Sequence, residues 1–260
     1  MDISIWQSAA LGVVEGITEF LPISSTAHLI LTSRVLGLTQ SEFLAFFEVF
    51  IQSGAILAVA IMYTRYVLTH RRLIPLLLAS FIPTGIIGFL AHDFIKNVLF
   101  DSTTTIALAL LSVGALFIVM EQFIKQDKLQ LSRTIDELTY KEAIIIGVLQ
   151  SLAIVPGVSR AGVVILGMLG MKYKRAQAAT YSFLLAIPTI TAASLFDLYK
   201  SRDLLAQTTG AWSVLAVGFV VSAAVAVVSV RWLIGYLQKN DLSAFGWYRI
   251  ALGIITLIFA

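Results

Sequence analysis

Residues 15–28 read Glu15-Gly16-Ile17-Thr18-Glu19-Phe20-Leu21-Pro22-Ile23-Ser24-Ser25-Thr26-Ala27-His28. They set two carboxylates, a proline and three successive hydroxyls inside an otherwise apolar run from 3 to 37. The arm after the break, Thr26 to Gly37, would reach only about 18 Å as a helix, short of a hydrocarbon core of about 30 Å. The spacing therefore predicts a re-entrant hairpin over 3–37, broken at Pro22-Ile23-Ser24-Ser25. Non-helical backbone at membrane depth is tolerated only where protein covers it or a wet cavity adjoins it, so a polar chamber inside a helical bundle is expected.

The rest of the chain supports a membrane setting. Of 260 residues, 58% are hydrophobic and 13% charged, which excludes an ordinary water-soluble globule. With no cysteine, a disulfide framework, a thiolate metal site and a cysteine nucleophile are all excluded. The first residues, Met1 to Trp6, lack the basic start of a secretory signal, and the first segment is expected to belong to the mature protein. Six stretches are long and apolar enough to span: 43–63, 73–91, 103–120, 177–196, 211–230 and 244–260. A second interrupted run, 142–171, breaks at Pro156-Gly157-Val158-Ser159-Arg160, and its return arm is again too short to cross. Gly12-Val13-Val14-Glu15 with Pro22 and Ser24 echoes Gly147-Val148-Leu149-Gln150 with Pro156 and Ser159, and each hairpin precedes three spans. The expected fold is an all-α polytopic membrane protein of two inverted-topology repeats, 1–125 and 126–260, with six transmembrane helices plus two re-entrant helix pairs.

Orientation follows from the basic residues. One set of loops holds Arg65, Arg71, Arg72, Lys125, Lys128, Arg133, Lys141, Lys172, Lys174, Arg175, Arg231 and Lys239; the other holds Arg34, Lys96, Lys200 and Arg202. The positive-inside rule makes the richer set cytoplasmic and places both termini outside. The basic loops suit anionic headgroups, and no nucleic-acid signature is present.

Glu15 and Glu19, four residues apart, share a helix face at a depth where each charge costs about 2.5–3.5 kcal/mol. Either both are neutral or hydrogen-bonded packing residues, or they share a divalent cation such as Mg²⁺, which takes one or two carboxylates plus phosphate oxygens. The adjoining Ser24, Ser25, Thr26 and His28 favour the second. Pro22 stops the first arm, and the hydroxyls then cap the second, whose free N–H groups would face an anion. Gly157, Ser159 and Arg160 offer a matching turn with a planar guanidinium suited to phosphate, unless Arg160 only neutralises a glutamate. His28, three residues after Ser25, is a candidate for proton transfer. Glu48 and Gln52 share a face of the next span and are candidate chamber residues. Gln150 and Gln177 read as packing or interface residues, and Arg249, beside Trp247 and Tyr248, as a snorkelling interface anchor. A transporter or lipid flippase would use the same architecture, but needs only binding groups.

Glu15 to His28 is similar to the EGxTEFLPxSSTGH signature, and Pro156 to Arg160 to the PGxSR signature, of the undecaprenyl-diphosphate phosphatase or bacitracin-resistance family. Phe47 to Gln52, Ser182 to Pro188 and Tyr248-Arg249-Ile250 extend the resemblance along the chain. It implies divalent-cation-dependent hydrolysis of a C55 isoprenoid diphosphate in the bacterial inner membrane, with Mg²⁺, Ca²⁺ or Mn²⁺ on Glu15 and Glu19. Glu15, Glu19, Ser25, His28 and Arg160 would be the catalytic set; Ser24, Thr26, Gly157, Ser159, Glu48 and Gln52, read from the residues themselves, are the candidate substrate-binding set. The expected partners are the lipid diphosphate and the bilayer, with a homodimer as one possible assembly. Ala27 departs from the usual Gly, and Ala161 and Val164 from the usual Ser and Thr, which is expected to remove two hydroxyls from the phosphate pocket.

Overall fold

Ser4 opens the chain's first helix: its hydroxyl accepts from the Gln7 backbone while the Gln7 side chain accepts from the Ser4 N–H, a neutral capping box. In the computed structural model, which describes residues 3–94, 103–208 and 210–258, this helix is α1, Ile5–Thr18. It is followed by α2, Ser25–Val35; α3, Glu42–Thr69; α4, Leu73–Phe94; and α5, Thr103–Lys125. A second run comprises α6, Tyr140–Gln150; α7, Arg160–Gly170; α8, Arg175–Lys200; a short α9, Arg202–Gln207; α10, Ala211–Leu237; and α11, Ser243–Ile258. Among the described residues there is no strand, only an isolated bridge between Arg133 and Tyr173.

Among the described residues, five helices are long and apolar enough to cross a membrane: α3, α4 over Leu73–Leu90, α5, α8 and α10. The sixth expected span corresponds to α11, which has 16 described residues and reaches Ile258. All five of the long helices outrun the C-terminal limits expected of them, reaching Thr69, Phe94, Lys125, Lys200 and Leu237, because apolar content ends before backbone hydrogen bonding does. Lys96, used in the orientation argument, lies outside the described residues. Ile61, Ile82, Val220 and Val228 all point outward, an apolar exterior suited to lipid rather than water.

The first arms of the two breaks, α1 and α6, lie on helices from the opposite half. α1 packs along α10, and α6 along α4, while α3 pairs with α8 and α5 with α11. The repeated glycines explain the close approach. A Cβ on Gly12 would stand 2.7 Å from the Gly218 carbonyl oxygen of α10, and one on Gly147 would run into the Ser80 carbonyl of α4. Helix α6 starts with its own capping box, Thr139 and Glu142, and there the acid is also clamped by Arg133 and by the Tyr173 hydroxyl at 3.0 Å. The short second arms, α2 and α7, have 11 residues each and would reach about 17 Å.

Candidate active site

Both breaks use the same local device. After α1 ends at Thr18, four residues before the proline expected to stop it, the chain turns through Pro22; Ser24 then takes the left-handed region at φ 73°, and its side chain caps α2 by accepting from the Ala27 N–H at 3.5 Å. After α6, Ser159 does the same at φ 74° and caps α7 through the Gly162 N–H at 3.1 Å. Left-handed backbone at two non-glycine residues is costly and persists only where the surroundings hold it. Gly157, at φ 96°, is required by the second turn, since a Cβ there would meet the Ile106 carbonyl at 2.6 Å.

The capped ends face one cavity of about 200 Å³. From the first break it is lined by Glu19, Ser24, Ser25 and Thr26, and from the second by Gly157, Ser159 and Arg160. A hydrogen-bonded chain joins the two. The Ser25 hydroxyl donates to Glu19 Oε2 at 2.7 Å, and Arg160 Nη2 donates to Glu19 Oε1 at 2.7 Å. Arg160 Nη1 is held by the Ser182 carbonyl at 2.6 Å, while its Nε has no acceptor among the described residues. The ion pair that the sequence allowed between Arg160 and a glutamate is thus formed, within the cavity wall. Its guanidinium retains a free N–H, so the pair does not exhaust its donors.

Glu15 lies behind this pair, fully buried, near Glu19, Glu48 and Arg160. Neither of its oxygens has a donor among the described residues. Glu48 is also buried, but its carboxylate accepts from Ser33 at 2.8 Å and does not line the cavity, whereas Gln52 does. Among the described residues no three His, Cys, Asp or Glu side chains gather as metal ligands. His28 is turned from the cavity: Nδ1 lies 2.7 Å from the Ser24 carbonyl and Nε2 2.7 Å from the Tyr248 hydroxyl. Ser25 therefore meets Glu19 rather than His28.

Three further expectations are corrected. Gln150 is not a packing or interface residue but lines the cavity, its amide donating to Thr84 at 2.9 Å and Thr189 at 3.2 Å. Arg249 does not snorkel; it is completely buried on backbone carbonyls, because α11 turns this face inward while Trp247 and Tyr248 stay exposed. Ala161 and Val164 are absent from the cavity lining and buried in packing, so their missing hydroxyls are not taken from this pocket. Gln177, as expected, is structural and accepts from the Ile135 N–H at 3.1 Å. Thr84 and Thr189 went unread in the sequence, although each directly follows a proline inside a helix, Pro83 and Pro188, where freed backbone groups mark polar surroundings.

The family profile of the bacitracin resistance protein BacA matches residues 8–255. The chain belongs to that family. Among relatives named undecaprenyl-diphosphatase, that of Persephonella marina is 44% identical over 256 residues, covering 98% of each chain. The Aquifex aeolicus relative is 41% identical over 250 residues, 96% of each. That of Thermus thermophilus is 40% identical over 260 residues, 99% of this chain and 98% of its own. The matched span contains both breaks and the whole stretch of chain that lines the cavity.

Proposed function

We propose that this chain hydrolyses undecaprenyl diphosphate to undecaprenyl monophosphate and inorganic phosphate, recycling the lipid carrier of cell-wall synthesis and thereby conferring bacitracin resistance. The observation that carries the reading is the Ser25–Glu19–Arg160 chain between two capped helix N-termini on one cavity. A hydroxyl on a carboxylate, a guanidinium with an N–H to spare and converging backbone donors are what phosphoryl transfer requires.

In this reading the diphosphate enters with its terminal phosphate toward Ser25. The free amides of α2 and α7 and the Arg160 guanidinium bind the phosphate oxygens and take up charge as the bond to the bridging oxygen breaks. Ser25, or a water in its place, attacks the terminal phosphorus and passes its proton to Glu19, while the monophosphate lipid leaves. If Ser25 attacks, water then releases phosphate from it. His28 holds the Ser24 carbonyl and hence the turn carrying Ser25, so its role in proton movement, expected from spacing, becomes indirect. Two carboxylates, one with no donor, fit an ion of the Mg²⁺ type, with Ca²⁺ and Mn²⁺ as alternatives held by Glu15 and Glu19. Such an ion, when bound, neutralises phosphate charge.

The mirrored turns and crossed pairings support two inverted repeats with re-entrant pairs α1–α2 and α6–α7, while the uneven loop charge supports termini outside in the bacterial inner membrane. Detergent-purified protein given isoprenyl diphosphate and Mg²⁺ is expected to release phosphate, and chelator to suppress it. Release undiminished by chelator overturns the metal requirement. No release, together with movement of the lipid across liposomes, overturns hydrolysis in favour of transport. Full turnover by Ser25→Ala excludes a covalent route.

A further inference from the structure

Arg249 has no part in the reaction outlined above, yet it heads the largest fully buried side chains among the described residues. Its recorded polar contacts are all backbone carbonyls: Pro22 at 3.2 Å, Gly157 at 2.6 Å, Val158 at 3.1 Å and Ala109 at 3.4 Å. Pro22 belongs to the first break, Gly157 and Val158 to the second, and Ala109 to α5. One side chain thus bridges both turns. Carbonyls at a break lack the helical donors their neighbours have, and a five-donor fork can serve several of them together, which a single ammonium cannot do with the same geometry.

The preceding residue reaches the first turn from its other side. The Tyr248 hydroxyl lies 2.7 Å from His28 Nε2, with the two rings nearly parallel at 6° and 5.6 Å apart. The Ser24 carbonyl, 2.7 Å from Nδ1, can only accept, so in the neutral ring Nδ1 donates to it and Nε2 accepts from Tyr248. Adjacent residues of α11 therefore grip Pro22, Ser24, Gly157 and Val158, the segments that present Ser25 and Arg160 to the cavity.

We infer that Tyr248 and Arg249 are positioning residues, which fix the two breaks against each other and so set Ser25 relative to Arg160. The inference rests on the hydrolytic reading for its effect on rate, though not for its effect on structure. It is tested on the full chain in detergent with Arg249→Lys and Tyr248→Phe. Because the chain has no cysteine, Ser25→Cys supplies a single thiol whose labelling by a small methanethiosulfonate reports the turn without turnover. Arg249→Lys is expected to lose about 100-fold in kcat and Tyr248→Phe about 10-fold, kcat falling further than KM rises, as displacement of reacting groups implies. Melting midpoints close to the parent's separate this from unfolding. In the Ser25→Cys background both changes are expected to raise the labelling rate several-fold.

Labelling at the parent rate in both backgrounds overturns the inference, even if phosphate release is lost. Parent-like kcat in both variants overturns it as well. Should Arg249→Lys fail to fold, Tyr248→Phe decides, since its ring is partly exposed and loses only a hydroxyl. A parent protein that releases no phosphate counts against the hydrolytic reading alone, because the labelling does not depend on it.

Discussion

The two breaks have nearly one backbone and quite different chemistry. Ser24 and Ser159 share their left-handed φ, at 73° and 74°, and each caps a helix of 11 residues. Yet the first break carries Glu15, Glu19, Ser25 and His28, whereas the second carries Gln150, Gly157 and Arg160. The matching turns deliver two sets of backbone donors to one cavity. The divergence then divides charge between them, acid and hydroxyl on one side and guanidinium on the other, so neither break is a site alone.

Breaking the link between the two sides has the largest expected effect. Glu19→Gln removes the acceptor of the Ser25 proton and is expected to lower kcat by about 10³-fold. It also leaves Arg160 buried without its partner, at a cost of about 3–5 kcal/mol. Glu19→Gln combined with Arg160→Gln is expected to regain part of that stability with no gain in activity; recovered phosphate release in the double variant would contradict the division of roles. Next comes the turn found only in the second break. Gly157→Ala is expected to destabilise by about 1–3 kcal/mol, read as a lowered melting midpoint in detergent, because it forces a Cβ onto the Ile106 carbonyl at positive φ.

Making the second side resemble the first is a finer change. Gln150→Glu sets a carboxylate opposite Glu19 across the cavity and is expected to raise KM for the lipid diphosphate about 10-fold through like-charge repulsion, with kcat less affected. An unchanged KM would place the diphosphate away from Gln150. The smallest effect concerns the two helix starts. The first has a neutral capping box, Ser4 with Gln7; the second has Glu142, whose carboxyl the Arg133 hydrogen bond holds down to about 2 against the opposing effect of burial, with help from Thr139 and Tyr173. A lowered value means this contribution is complete above the ordinary carboxylate range and drains away as pH falls toward 2. Glu142 is partly hydrated, so a shift of only a few degrees in melting midpoint between pH 6 and pH 3 is expected from it, absent in Glu142→Gln.

Much of the site was legible because ionisable groups at membrane depth are costly and therefore informative. Glu19, Ser25 and Arg160 stood out by residue type and by proline-marked breaks, and they do meet. Gln150 was harder to read, since an amide carries no such cost and only its place opposite Glu15 in the repeated pattern distinguished it. Arg249 was misread for a related reason. An arginine beside a tryptophan and a tyrosine reads as an interfacial anchor, and only the facing of α11 shows that its side chain runs inward.

The sequence by itself determined the all-helical membrane character, the two short arms and the residue types at each break, because helix length against bilayer thickness and proline against helix continuity are local constraints. Tertiary structure alone decided who faces whom: Arg160 on Glu19 across 141 residues, His28 on Tyr248 across 220, and Arg249 on both breaks. Those contacts depend on how whole helices rotate and pack when glycines let α1 and α6 close onto helices of the opposite half, and no local spacing encodes that rotation.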